Sequence, residues 1–320
     1  MKKAVLLAMV DEGDQAQRIS FRPDYPGDIS GDMASACWQI RALDALCAYC
    51  VENISYDLHK LVGHDEADVS ISYRKAKSEV DAIVRLPYAT DAGELLEQHI
   101  AQGKEMLVLL CERSSYTSEG METFVLQVYR DNPIIAPQEP VVMVDTVSGA
   151  DAMRLYEIQF DYGLDRETLR RQQEALSGYA PFAGLDVAAL SESERAMLLC
   201  GTLRDTCQAT DLPGHDSIYS ALIEGKADSR GFALACVALC RQLGLGFEMI
   251  TGEYLGEEHS WNLVEVNGYP YHLDPYIFAL QGPEAGFLLN DEAAWGPYRW
   301  YYFSTPNCDG PVLSFADEKN

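Results

Sequence analysis

Hydrophobic and polar residues follow a helical period in some stretches of the chain and a strand period in others. Apolar residues recur at helical spacing in Ala34–Ile54, which predicts one unbroken helix, and Asp91–Gly103 predicts a helix that ends at a glycine. Ala67–Arg74 alternates like a half-buried strand, and the apolar run Glu105–Cys111 predicts a buried strand. A short apolar run near the start, Ala4–Val10, predicts a first β-strand.

The second half of the chain carries clearer boundary signals. Arg154–Tyr162 alternates strictly, so its aromatic and aliphatic side should face a core. Asp165 is placed to cap the helix that follows, and Ser191 with Glu194 forms a capping-box pattern. The three prolines of Arg130–Pro140 indicate a joint. We therefore predict an α+β protein with an N-terminal α/β region of unknown role over residues 1–145 and a second domain over residues 146–320.

The charge balance changes the list of possible partners. The 320 residues include 24 basic and 50 acidic side chains, a formal net charge of −26. Nucleic acids and anionic membrane surfaces bind basic patches, so we expect neither as a partner. No apolar run approaches the roughly 18 residues of a membrane span, so we expect no membrane insertion. The early apolar run meets Asp11 and shows no small-residue cleavage site, which favours a cytoplasmic protein over a secreted one.

The cysteines favour free thiols over a disulfide framework. Nine cysteines, an odd number, are scattered through segments that look helical. Cys47 and Cys50 form one C-x-x-C pair with no second pair at zinc spacing, which favours two positions on a helix face. We predict no metal site and no cofactor.

The stretch "GKADSRGFALACVALCRQLGLGFEMITG", Gly225–Gly252, raises the first question of chemistry. It predicts a helix that opens at Ser229 with one apolar stripe, a stop at Gly244 and a strand after it. Gly231 would let another backbone approach the helix start closely. The start of a helix lowers the pKa of a thiol and supplies amide donors for an oxyanion, but the residue there is a serine. A serine at a helix start is also an ordinary N-cap.

Further along, a hairpin places a histidine beside a carboxylate. Asn267–Gly268 lies between alternating segments and predicts a two-residue type I′ turn. In that register Trp261 faces Asp274, and His259 lies one diagonal step from Asp274 on the same face of the sheet. This spacing predicts a His–Asp hydrogen bond, the second and third members of a nucleophile–base–orienter triad. A purely structural His–Asp hydrogen bond is the alternative.

These motifs resemble the core of the transglutaminase-like superfamily, which has a papain-related fold. The segments "ADSRGFA" and "HSWNLVEVNGYPYHLDP" are similar to its Cys-x-Gly-Tyr-Ala, His-Ala-Trp-Asn and Tyr-x-Val-Asp-Pro patterns, and "IYSALIEGKADS" looks like its lead-in to the nucleophile. The resemblance covers Leu198–Tyr276. It implies a helix packed on an antiparallel sheet, with His259 as base, Asp274 as orienting acid, and Trp261 and Asn262 completing the histidine strand.

The nucleophile position departs from that pattern, because Ser229 stands where the family has cysteine. Cys236 and Cys240 lie further down the helix and cannot replace it. We therefore predict a catalytically inactive member whose former active-site cleft serves binding or scaffolding, with an unknown protein or peptide as its ligand. The alternative is a serine-dependent amidase, peptidase or acyltransferase that uses Ser229, His259 and Asp274 through an acyl-enzyme.

Further positions are predicted to line the same cleft. Asp228, directly before Ser229, would oppose an oxyanion if its carboxylate points into the cleft, which favours the inactive interpretation. Tyr219 is a further candidate for the cleft wall. The aromatic segment Trp295–Pro306 predicts core packing of a last strand, with lining of the cleft as the alternative.

Overall fold

The computed structural model describes residues 2–150, 152–303 and 305–313, and the chain forms two compact units of interleaved segments. The first unit contains the chain up to Leu95 together with Lys104–Phe124 and Val142–Phe160. The second contains Leu96–Gly103, Val125–Val141 and the chain from Asp161 onward. The predicted domain boundary at residue 145 stays a prediction. The two units are interleaved along the chain, so they do not test a single boundary at that position.

The helices and strands follow one another along the whole chain. The helices are α1 (Lys2–Glu12), α2 (Ile29–Leu43), α3 (Ala45–Cys50), α4 (Lys77–Asp81), α5 (Gly93–Ala101), α6 (Ser118–Asp131), α7 (Arg166–Ser177), α8 (Glu192–Thr206), α9 (Ser229–Leu243), α10 (Pro275–Gln281), α11 (Pro283–Gly286) and α12 (Asp291–Ala294). The strands are β1 (Ala16–Phe21), β2 (Val51–Leu61), β3 (His64–Tyr73), β4 (Val84–Tyr88), β5 (Met106–Arg113), β6 (Val141–Ser148), β7 (Arg154–Asp161), β8 (Gln208–Ala209), β9 (Lys226–Ala227), β10 (Phe247–Tyr254), β11 (Glu257–Val266), β12 (Tyr269–Leu273) and β13 (Tyr298–Arg299).

The first unit contains two sheets. One has the order β1-β3-β2, and its strands are antiparallel. The other has the order β4-β5-β7-β6, in which β4 runs parallel to β5 and β5 runs antiparallel to β7. The second unit contains the sheet β12-β11-β10-β13, whose described pairings are all antiparallel, and the short parallel pair β8-β9. Helix α9 packs on β10 and β11. The predicted α+β class, with a helix on an antiparallel sheet, is confirmed.

The predicted first strand, Ala4–Val10, is wrong because these residues lie in α1. Leu6, Met9 and Val10 are buried, and their spacing of three and then one residue places them on one side of a helix. A short apolar run fits a buried helix as well as a buried strand, and here the packing decided for the helix.

The predicted unbroken helix over Ala34–Ile54 is also wrong, because Asp44 interrupts it. Asp44 has an extended backbone, and its carboxylate accepts a hydrogen bond of 2.9 Å from the Cys47 N–H. It therefore ends α2 and caps α3, and the chain becomes the strand β2 at Val51. Cys47 and Cys50 both lie in α3, so the helical interpretation of the C-x-x-C pair is confirmed.

Several local boundaries agree with the prediction. The Asp165 carboxylate accepts hydrogen bonds from the first turn of α7, and Ser191 and Glu194 form the capping box of α8. The alternating side of β7 is buried as predicted at Tyr156, Ile158 and Phe160. In the described part of the chain, no helix is both long enough and apolar enough to cross a membrane.

Candidate active site

Helix α9 begins where the sequence predicts, but its cap is Asp228 and not Ser229. The Asp228 carboxylate accepts a hydrogen bond of 2.9 Å from the Gly231 N–H, and Ser229 is the first helical residue. The interpretation of Ser229 as an N-cap is therefore wrong. Gly244 ends the helix with φ of +65°, a left-handed conformation that glycine adopts without strain. The Ser229 hydroxyl is thus not used in capping and stays available for other contacts.

The body of α9 is buried on every side, which corrects the prediction of a single apolar stripe. All residues from Gly231 to Cys240 are buried, because α8, α10, β10 and β11 surround the helix. Gly231 fits the predicted close approach: a Cβ there would lie 2.7 Å from Ala227 Cβ and 3.0 Å from the carbonyl oxygens of His215 and Ser217. The segment before β9 therefore passes directly against the start of α9.

The Ser229 hydroxyl faces the strand that carries the histidine. Its Oγ accepts a hydrogen bond of 3.3 Å from the backbone N–H of Ser260, the residue after His259. Among the described residues this is the hydrogen bond that the Ser229 side chain makes, and none joins it to the His259 ring. Ser229, at the start of α9, therefore contacts the residue of β11 that follows His259. The serine–histidine hydrogen bond of an assembled triad is not formed.

The predicted hairpin is present in the predicted register. Asn267 and Gly268 have φ of +55° and +78°, as a type I′ turn requires, and β11 pairs with β12 from Val266↔Tyr269 onward. The pairing ends at Asn262↔Leu273, so the predicted pair of Trp261 with Asp274 is not formed. The chain leaves the sheet there to begin α10.

The hydrogen bond between His259 and Asp274 is present as predicted. His259 Nε2 lies 2.6 Å from Asp274 Oδ2, and both side chains are buried. Asp274 is fixed at its backbone and at its other oxygen: its N–H donates to Gly286 O at 2.7 Å, and Oδ1 caps α10 by accepting from the Ile277 N–H at 3.0 Å. His259 Nδ1 has no hydrogen-bond partner among the described residues, so this nitrogen is the one left for a substrate or a nucleophile.

Tyr298 is a site residue that the sequence analysis missed. Its hydroxyl donates to Asp274 Oδ2 at 2.9 Å and lies 3.2 Å from Ala285 O, and the side chain is fully buried. Burial and the charge of Asp274 raise the pKa of Tyr298 well above its usual value, so the hydroxyl stays a donor. The signal in the sequence was only the aromatic content of the last segment, and no spacing rule connects it to Asp274.

The aromatic segment Trp295–Pro306 as a whole does not pack as the predicted last core strand. Tyr298 lies in the two-residue strand β13 and is buried, whereas the side chains of Trp295, Tyr301 and Phe303 are exposed. Ser304 lies outside the described residues. Strand β13 has two residues and pairs with the end of β10, so among the described residues of the segment only Tyr298 and Arg299 belong to the sheet.

Trp261 connects the histidine strand to a second His–Asp pair, in which the histidine is buried and the aspartate partly buried. Its Nε1–H donates to His272 Nδ1 at 2.9 Å, and His272 Nε2 lies 2.9 Å from Asp291 Oδ1. Because Nδ1 accepts, the proton of the neutral ring sits on Nε2 and is donated to Asp291. Burial lowers the pKa of His272, which also favours the neutral ring. His272, Asp291 and Cys308 lie close enough for a metal ion, but this tautomer leaves His272 no free lone pair for a metal.

Two further positions were predicted to belong to the cleft, Asn262 and Tyr219, and only Asn262 has a described side-chain contact with the elements of the site. Asn262 is fully buried, and its Nδ2 donates to Ala233 O at 3.2 Å, which ties β11 to α9. Tyr219 is half-buried, and its backbone N–H donates to Pro137 O at 3.2 Å. No described contact joins the Tyr219 ring to Ser229 or His259, so its place in a cleft wall stays a prediction.

No native thiol is suited to replace the serine. All nine cysteines are free and buried. Burial raises the pKa of Cys200 and Cys236 well above the usual thiol value, and Cys236 lies 4.0 Å from Cys240 inside the helix packing. A thiol acts as a nucleophile in its ionised form, and these thiols are held protonated and away from solvent.

Carboxylates surround the start of α9. Burial raises the pKa of Asp228, and the nearby charge of Asp216 raises it further, against the lowering effect of the Gly231 amide. Tyr276, whose ring lies edge-on to His259 at 5.7 Å between centroids, donates its hydroxyl to Asp211. The carboxylate of Asp228 lies on the helix amides and not free in the cleft, but this end of the site carries negative charge.

Comparisons with known proteins give likenesses to solved structures, two of which are described here, and no match in sequence. No protein-family model matches the chain, and a search of curated proteins found no match. A solved structure described as a TGase is similar at 9% identity and a TM-score of 0.26, covering 60% of this chain and 58% of that one. A putative cysteine protease from Cytophaga hutchinsonii is similar at 11% identity and a TM-score of 0.24, covering 43% of this chain and 64% of that one.

The chain spans less than two thirds of the length of either solved structure. At TM-scores this low, the likeness adds nothing to the geometry described above. The chemistry of the site is therefore inferred from its own residues. These are the hydrogen-bonded group of His259, Asp274 and Tyr298, the unbonded Nδ1 of His259, and Ser229 at a helix start.

Proposed function

We propose that this protein is a catalytically inactive member of the transglutaminase-like superfamily whose former active-site cleft binds a peptide segment. One observation carries the proposal: Ser229 Oγ accepts its hydrogen bond from the Ser260 N–H and has none with His259. A serine hydroxyl needs a base to take its proton during attack, whereas a cysteine thiol beside a histidine is already ionised. A serine at this position therefore lacks what makes the family's nucleophile reactive.

Loss of the nucleophile leaves the rest of the site intact as a rigid surface. Asp274 and Tyr298 hold the His259 ring in a single orientation, and Tyr276 and Trp261 pack against the same ring. Rigid aromatic side chains and one hydrogen-bonding nitrogen left without a protein partner among the described residues are typical of a peptide-binding cleft. The carboxylates of Asp211 and Asp216 near it favour a peptide with basic side chains.

A second candidate, a serine hydrolase or acyltransferase, is favoured by the free His259 Nδ1. In that case Nδ1 would take the proton of Ser229 Oγ as the oxygen attacks the carbonyl carbon of an amide or ester in a peptide or peptidoglycan-like substrate. The proton would pass to the leaving amine or alcohol, and water or a second nucleophile would release the acyl group from Ser229.

Labelling with a fluorophosphonate probe separates the two candidates. We expect no adduct on the native chain by intact-mass analysis, under conditions that label a control serine hydrolase fully. A single adduct on the native chain that is absent from Ser229→Ala would overturn the proposal and identify a serine enzyme. Ser229→Ala is a matched control, because the substitution removes only the hydroxyl and the His259–Asp274 hydrogen bond does not involve Ser229.

Binding is tested separately with fluorescent peptides of equal length. We expect a lysine-rich peptide to bind in a saturable way and a glutamate-rich peptide not to bind. Asp216→Asn should weaken binding of the lysine-rich peptide, while Asp186→Asn, at an exposed position with no described contact to the site residues, should not. Equal binding of both peptides, or no binding of either, would contradict the proposed ligand.

A further inference from the structure

A cavity in the first unit shares no lining residue with the site described above. Its volume is about 510 Å³, within the roughly 300–1,000 Å³ that small-molecule sites occupy. The residues that line it come from the ends of β4 and β5 and the start of β7: Tyr88, Ala89, Thr90, Arg113, Ser114, Ser115, Tyr116, Ala152 and Arg154.

The cavity lies at the carboxyl ends of two parallel strands. Tyr88, the last residue of β4, pairs with Arg113, the last residue of β5. Ligands of sheets with parallel strands commonly bind outside the carboxyl ends of those strands, where the chain turns away and leaves a crevice. The cavity therefore lies where a sheet with parallel strands commonly binds its ligand.

Internal hydrogen bonds fix the wall that follows β5. The Tyr156 hydroxyl donates to Tyr116 O at 2.9 Å, and the Ser114 hydroxyl, 2.5 Å away, donates to the Tyr156 hydroxyl. Ser114 Oγ also accepts from the Tyr116 N–H at 3.2 Å. The Ser114 hydroxyl is therefore satisfied within the protein, whereas Ser115 and Thr90 are exposed. The wall is built before a ligand arrives, which lowers the entropy cost of binding.

Two arginines give the cavity a charge opposite to that of the chain. Among the described lining residues there is no aspartate or glutamate, and within the described chain neither Arg113 nor Arg154 forms an ion pair. Arg154 donates to the carbonyl oxygen of its neighbour Met153 at 2.8 Å. The nearest described carboxylate by sequence to Tyr88, that of Asp91, accepts from the Tyr88 N–H. In a chain of net charge −26, two arginines without carboxylate partners in one cavity are unusual.

We propose that this cavity binds a small organic anion, whose phosphate or carboxylate head contacts Arg113 and Arg154. Guanidinium groups recognise both heads through paired N–H donors. Tyr88 and Tyr116 supply aromatic surface for the body of the ligand, and the hydroxyls of Thr90 and Ser115 supply polar contacts. This binding site concerns the first unit alone and does not depend on the function proposed for the second.

The test uses two anionic probes with the same ring, phenyl phosphate and benzoate, and the uncharged benzyl alcohol. Binding to the full chain is followed by ligand-observed NMR at neutral pH and physiological ionic strength. We expect saturable binding of at least one anion with a Kd below about 10 mM, and weaker binding of benzyl alcohol by about tenfold or more. Which anion binds identifies the head group.

Variants decide whether the two arginines hold the probe. The double variant Arg113→Gln/Arg154→Gln should raise the Kd of the more tightly bound anion by about tenfold or more. Each Arg→Lys variant should retain part of the affinity. Arg22→Gln removes one positive charge from an exposed position outside the cavity, as each single Arg→Gln variant does within it, and should leave the Kd unchanged. Failure of both anions to bind folded native protein, equal binding of benzyl alcohol, or an unchanged Kd in the folded double variant would overturn the proposal.

Discussion

Tyr298 and His259 share one oxygen atom of Asp274. The Tyr298 hydroxyl lies 2.9 Å from Asp274 Oδ2 and the His259 Nε2 lies 2.6 Å from it, while the second oxygen caps α10. Three separate elements, β13, β11 and α10, therefore meet at a single buried carboxylate. An ionised carboxylate can be buried at this depth only if hydrogen bonds replace its water, and these groups supply them.

Removing the Tyr298 hydroxyl should destabilise the protein. We expect Tyr298→Phe to lower the free energy of unfolding by about 1–3 kcal/mol, because Asp274 Oδ2 loses a buried donor. Tyr269→Phe is the matched control, since that residue is exposed and the structure gives its hydroxyl no hydrogen bond among the described residues. The control should change by less than about 0.5 kcal/mol. Urea denaturation measures both, and an equal effect of the two variants would contradict the role of the Tyr298–Asp274 contact.

Restoring the thiol tests whether His259 can act as a base. We expect the new thiol of Ser229→Cys to react with iodoacetamide at pH 6 far faster than the nine native thiols, which are all buried. The reason is that a thiol beside the free His259 Nδ1 at a helix start ionises more easily. Peptide mapping of the alkylated protein gives the rate at each cysteine. In Ser229→Cys/His259→Gln the fast reaction should disappear; if it persists, the histidine is not responsible.

Two glycine-to-alanine substitutions should have opposite effects. Gly231→Ala places a Cβ 2.7 Å from Ala227 Cβ and 3.0 Å from two carbonyl oxygens, so we expect a loss of about 1–3 kcal/mol in unfolding free energy. Gly201 lies inside α8 with no atom near its would-be Cβ. Gly201→Ala should therefore stabilise the protein by about 0.5–1 kcal/mol. The same denaturation experiment compares them, and a neutral Gly231→Ala would show that the loop before β9 can move away.

The buried His272 should make stability depend on pH. Burial lowers the pKa of His272 in the folded protein below 6.5, the value expected in the unfolded chain. At a pH between the folded and the unfolded pKa, the unfolded chain therefore binds a proton that the folded protein does not. The contribution of His272 to stability is complete above pH 6.5 and is lost as the pH falls through the folded pKa. The slope is at most about 1.4 kcal/mol per pH unit.

Urea denaturation between pH 7.5 and 5 would measure this slope. We expect His272→Gln to flatten it, because glutamine does not titrate. NMR of the ring provides a second measurement that does not need the variant: the His272 imidazole should titrate with a pKa below 6.5. A ring pKa at or above 6.5, or an unchanged slope in the variant, would contradict the neutral tautomer inferred from Trp261 and Asp291.

The sequence by itself determined the features that depend on neighbours along the chain. Asn267 and Gly268 set the turn, and strand alternation then fixed the register of β11 on β12 and brought His259 to Asp274. The helix caps at Asp165 and Ser191 could also be predicted, because each side chain accepts a hydrogen bond from a backbone N–H no more than three residues further along. Such contacts are encoded in a few adjacent residues, so pattern and spacing are sufficient to predict them.

Only the tertiary structure decided the contacts between residues far apart in sequence. Ala4–Val10 is a helix because its neighbours bury Leu6 and Met9 on one side, and a short apolar run alone fits either element. Tyr298 reaches Asp274 across 24 residues, and the cavity of Arg113 and Arg154 forms where separate strands end. The path of the chain brings these residues together, and that path depends on the packing of the whole unit, which no local pattern contains.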